Sequence, residues 1–140
     1  MQETFADLEM AKLSILLLKE CFSIVDDNGI QLANLPSFEV EKFRGLTVIP
    51  LDEAAKIFSG IMVNLSKEPL YGSILQSMKR ARASEIDYIN GEFVMLSRFG
   101  RVGAMLNTKL VNFVHEVEKT KRFFTADELK KRCAIGQMKT

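Results

Sequence analysis

From Thr4 to about Asp27 the apolar residues Phe5, Leu8, Leu13, Leu16, Leu17, Ile24 and Val25 recur at close to helical spacing. Asn28-Gly29 follows at once as a strong helix stop. The same grammar repeats to the end of the chain, and nowhere does an apolar/polar alternation of period two call for a strand. A chain with this pattern has one way to build a core, by packing helix stripes against one another.

Punctuation divides the rest. Ile30 to Pro36 reads as a connector, a short helix is predicted from Ser37 to Arg44 ending at Gly45, and Thr47 to Pro50 is a second connector. Asp52 can cap a helix to about Ser66 that offers Ala55, Ile57, Phe58, Ile61, Met62 and Leu65 for burial; Pro69 ends that run. A helix from about Tyr71 to Ala83 turns Ile74, Leu75 and Met78 inward and Lys79, Arg80 and Arg82 outward. Ser84 then reads as an N-cap, with Ile86, Ile89, Phe93, Leu96 and Phe99 on one side of the following helix. Asn107 can cap a helix to about Lys121, and Thr125 with Glu128 forms a capping box for a last short helix before a tail expected to fray. The expected fold is all-α, six or seven helices in a single bundle-like domain spanning residues 1–140.

Composition narrows the function. A net charge of +1 gives no general pull toward nucleic acid or an anionic membrane. The run from Leu13 to Leu18 is far shorter than a membrane span needs, and Glu3, Asp7 and Glu9 stand where a signal peptide would be basic. A cytoplasmic protein with reduced Cys21 and Cys133 is expected. His115 has no second histidine or nearby cysteine to share a metal with. The basic clusters Lys79 to Arg82 and Lys130 to Arg132 read as solvated helix faces.

The tract from Ser73 to Gly91 is the most informative. It places a hydroxyl at Ser73 and a carboxylate at Glu85 twelve positions apart across a helix junction. A first helical turn suits a carboxylate, because free backbone N–H groups stabilise its charge. Capping and surface solvation alone would account for the same two residues.

The block Glu85-Ile86-Asp87-Tyr88-Ile89-Asn90-Gly91, the spacing from Ser73 to Glu85, Glu20 followed by Asn28-Gly29-Ile30, and Asn107-Thr108-Lys109-Leu110 together resemble the C-terminal domain of the ketopantoate reductase (2-dehydropantoate 2-reductase) family. The resemblance runs over roughly residues 8–120. It implies the helical half of an NADPH-dependent enzyme that reduces a 2-oxo acid to a 2-hydroxy acid, with a setting in pantothenate biosynthesis. A Rossmann domain would hold the NADPH, and the helical domain would close the site and form a homodimer. The serine matching Ser73 would bind substrate, and the glutamate matching Glu85 would lie beside the cofactor.

Two parts of that enzyme are missing from these residues. The family's general acid is a lysine followed at one and two turns by asparagines. No Lys-x-x-x-Asn-x-x-x-Asn occurs; Lys56 and Asn64 share a face, but Gly60 stands between them. No Gly-x-Gly-x-x-Gly occurs either. The expectation is a substrate-binding and dimerisation domain without its Rossmann partner, inactive alone and needing no metal. The alternative is a stand-alone, non-catalytic interaction module that kept the fold.

Overall fold

The computed structural model describes residues 2–34, 36, 39–68 and 71–133. Eight α-helices, and no strand, occur among them: α1 (Gln2–Ala6), α2 (Leu8–Asp27), α3 (Val40–Gly45), α4 (Leu51–Val63), α5 (Ser73–Lys79), α6 (Ile86–Leu96), α7 (Met105–Thr120) and α8 (Ala126–Cys133). The all-α expectation holds. The count exceeds it by one because Asp7 breaks the first helix: its carboxylate accepts the N–H groups of Glu9 at 2.9 Å and Met10 at 3.4 Å and so starts α2 afresh.

The α2 helix is the axis of the molecule. One face of it, with Ala11 and Ile15, packs on Ala54, Ala55 and Phe58 of α4 and on Leu46. Two alanines on α4 let the helices approach closely, and Phe5 of α1 closes this cluster edge-on against Phe58 with ring centroids 5.4 Å apart. Another face, with Met10 and Leu13, packs on Leu106 of α7 and Cys133 of α8. Burying an aliphatic side chain such as Ile15 stabilises the fold by roughly 1.5–3 kcal/mol.

Local signals placed some ends well and others not. At the end of α2, Gly29 adopts φ +67°, with Ile30 N–H bonded to Val25 O and Gly29 N–H to Asp26 O, a Schellman cap. The Thr125/Glu128 capping box is reciprocal, Glu128 N–H reaching Thr125 Oγ1 at 3.2 Å and Thr125 N–H reaching Glu128 Oε2 at 2.8 Å. By contrast, α4 begins after Pro50, and Asp52 sits in its first turn bound to Lys12 rather than at the cap. Ser37, Pro69 and the tail beyond Cys133 lie outside the described residues. Within α4, Ile57 and Ile61 are exposed, as is Leu65 beyond it, so the buried stripe is narrower than the apolar pattern suggested.

The helix predicted over 71–83 is shorter at both ends. It stops at Lys79 because Ala81 takes the left-handed conformation at φ 53°, with Arg82 N–H on Ser77 O and Ala81 N–H on Met78 O. This is the same cap as at Gly29, made here by a residue that carries a Cβ.

Candidate functional site

The site region is the junction between α5 and α6, held from below by α7. Ser84 N–H donates to Glu118 Oε1 at 2.8 Å, and this bond holds the Glu118 carboxyl below its ordinary range. Further along, His115 Nε2 lies 3.1 Å from Asp87 Oδ2, and Asn90 Nδ2 donates to Asn107 Oδ1 at 2.8 Å. As the α6 residue number rises the α7 number falls, so the two helices run antiparallel as a hairpin.

Ser73 is the first residue of α5 and is exposed; Gly72 is the cap. Glu85, half-buried, is the residue on which α6 starts, with the fully packed Ile86 behind it. Ser84 was expected at that cap; its hydroxyl accepts Ile86 N–H at a long 3.5 Å, one residue before the helix turn begins. Neither the Ser73 hydroxyl nor the Glu85 carboxylate has a hydrogen-bond or ion-pair partner among the described residues. They do not share either of the two cavities found along α7.

One of those cavities is apolar, about 260 Å³, and lies between α5 and α7 with Ile74, Leu75 and Met78 on one side and Leu110, Phe113 and Val117 on the other. The three α5 residues are thus turned inward as expected, although only half-buried. The second, about 370 Å³, is mixed in polarity and lies on the α6–α7 hairpin.

A polar cluster behind the junction was not assembled from the sequence. Asn107, at 0% exposure, was read as the cap of α7; Ala104 holds that position, and Asn107 lies inside the first turn. Capping comes instead from Glu20 on α2, whose carboxylate accepts Leu106 N–H at 2.8 Å, Asn107 N–H at 2.9 Å and Asn107 Nδ2 at 3.0 Å. A carboxylate at the positive end of a helix satisfies otherwise unbonded donors and gains from the helix dipole. Asn107 Oδ1 in turn holds Asn90, so the cluster ties α2, α6 and α7 together and fixes the register of the Glu85–Gly91 block. The visible signal was a fully polar residue at the core-facing register of α7.

Of the other candidates, Lys79 lies over the Tyr71 ring at 4.8 Å, Lys130 binds Asp7 and Asp127, and Arg132 binds Glu116. These cations face neighbours on their own surface. No group of three His, Cys, Asp or Glu side chains that could hold a metal occurs among the described residues, and none of their helices is long and apolar enough to cross a membrane. Cys21 and Cys133 are both free thiols. Burial raises the pKa of each.

The described residues thus form an all-helical domain in which an antiparallel hairpin is clamped to a central helix. The family described as "Ketopantoate reductase PanE/ApbA C terminal" matches residues 1–118. The chain belongs to that family. No curated protein matches it, and no solved structure does.

Proposed function

We propose that this chain is the substrate-facing and dimerising domain of a cytoplasmic, ketopantoate-reductase-like enzyme that reduces a 2-oxo acid to a 2-hydroxy acid with NADPH. The observation that carries this reading is the Glu85–Gly91 block. It lies at the start of α6 with Glu85 and the upstream Ser73 unpartnered among the described residues, inside a family match that covers residues 1–118.

The Ser73 hydroxyl would bind the substrate, and Glu85 would stand beside the junction of substrate and cofactor. NADPH would supply the hydride from a separate Rossmann domain. The described residues do not fit its phosphates: they contain no strand and therefore no strand–turn–helix cradle. A lysine on a further helix would protonate the carbonyl oxygen, since Lys56 lies on α4 with Gly60 one turn on.

The isolated chain should therefore show no NADPH oxidation with ketopantoate. Mixed with an NADPH-binding domain that carries the lysine helix, it should gain turnover, and Ser73→Ala should then raise KM by about tenfold, the loss of one substrate hydrogen bond. Turnover by the 140 residues alone would sink the division of labour. An unchanged KM would remove Ser73 from the substrate site, and a domain that never restores turnover would favour a non-catalytic interaction module.

A further inference from the structure

We infer that the groove on the α6–α7 hairpin is the face through which two copies of this chain pair about a two-fold axis, each α6 crossing the other antiparallel. The inference rests on the dimerisation part of the function proposed above and supplies its surface.

The 370 Å³ groove is floored by Gly91, Val94, Met95 and Val111 and edged at opposite ends by Asp87 and Arg98. Asp87, Gly91 and Val94 follow one another on α6 at spacings of four and three, the seam by which one helix meets another, and Arg98 continues the strip from the turn just past the helix end at Ser97. The seam ends in opposite charges. Arg98 has no ion pair among the described residues, and Asp87 keeps a flank toward the groove while its other side meets His115.

Two-fold symmetry makes such a strip self-complementary. An axis midway between positions 87 and 98 places Asp87 opposite Arg98 of the other copy, twice, and Gly91 opposite Val94 of the other copy. A glycine facing a valine lets the helices approach, with the half-exposed Met95 available to fill the remaining space. A parallel arrangement would set like charges against each other at both ends. The charge order along α6 and the turn that follows it thus favours a second copy in antiparallel orientation over a partner of one charge.

The test is sedimentation equilibrium on the full chain. A dimer is expected, weakened about tenfold or more by Arg98→Glu and restored within about threefold when Asp87→Lys is added to it, because the swapped charges face each other again. Gly91→Trp should also break the dimer while keeping the thermal midpoint, since a Cβ at Gly91 meets only ordinary contacts and the added ring fills the groove. A chain that is monomeric up to about 100 μM would overturn both the groove and the dimerisation reading. A dimer indifferent to Arg98→Glu and Gly91→Trp would overturn the groove alone.

Discussion

The carboxylate of Glu20 accepts both the backbone N–H and the side-chain amide of Asn107, at 2.9 and 3.0 Å, across 87 residues of sequence. It is the polar centre of a fold otherwise held by apolar stripes. Replacing Glu20 by Ala strands the N–H groups of Leu106 and Asn107 at once and leaves the buried Asn107 amide only the Cys21 Sγ at 3.4 Å as an acceptor. We expect a loss of about 3 kcal/mol in urea unfolding, and a smaller loss for Glu20→Gln, which keeps one acceptor oxygen. A loss within roughly 0.5 kcal/mol, the size of an ordinary surface change, would show that α7 caps itself.

The two Schellman caps form a matched pair with opposite expectations. Gly29 and Ala81 hold the same left-handed backbone, φ +67° and φ 53°, each with open or exposed surroundings. Backbone preference alone then decides the outcome. Ala81→Gly should stabilise the protein by about 1 kcal/mol and Gly29→Ala should destabilise it by about the same amount. Thermal or denaturant unfolding reads both; two shifts of the same sign would refute the paired explanation.

Between α6 and α7, Asp27 accepts the N–H groups of Arg101 and Val102, the latter at 3.1 Å, and so pins the loop to the end of α2. A Cβ at Gly100 would overlap that carboxylate. Gly100→Ala should lower the thermal midpoint by a few °C and speed hydrogen exchange at the Arg101 and Val102 amides. Exchange that stays slow at both amides would mean the loop moves aside without releasing Asp27.

Acid should weaken the fold in a defined direction. Asp7, held down first by Lys130, Asp27, held down first by the Arg101 N–H, and Glu118, held down first by the Ser84 N–H, all have pKa values below their ordinary 3.8, 3.8 and 4.5. A carboxyl with a lowered native pKa binds fewer protons folded than unfolded. Its stabilisation is complete above the unfolded value and is shed as the pH falls through the native one. The thermal midpoint should thus be flat from pH 7 to about 5 and fall progressively below about pH 4. Asp27→Asn should flatten that fall; an unchanged slope would exclude Asp27 as a contributor.

Helix existence and type were legible from the amino-acid order because they depend on neighbours three and four residues apart. The apolar spacing from Phe5 to Val25, the stop at Asn28-Gly29 and the Thr125/Glu128 box all act within one or two turns. The Glu85–Gly91 block also carried the family without coordinates. Tertiary structure alone decided what each face meets. Ile89 and Phe99 were read on the same side of the helix as Ile86, yet only Ile86 is buried, while Ile89 on α6 and Phe99 in the turn after it are 44% and 80% exposed. Asn107 looked like a cap because Asn caps helices locally, whereas its partner Glu20 arrives from α2. A hydrogen bond closed across 87 residues leaves no periodic trace, since its donor and acceptor become neighbours only once the helices have packed.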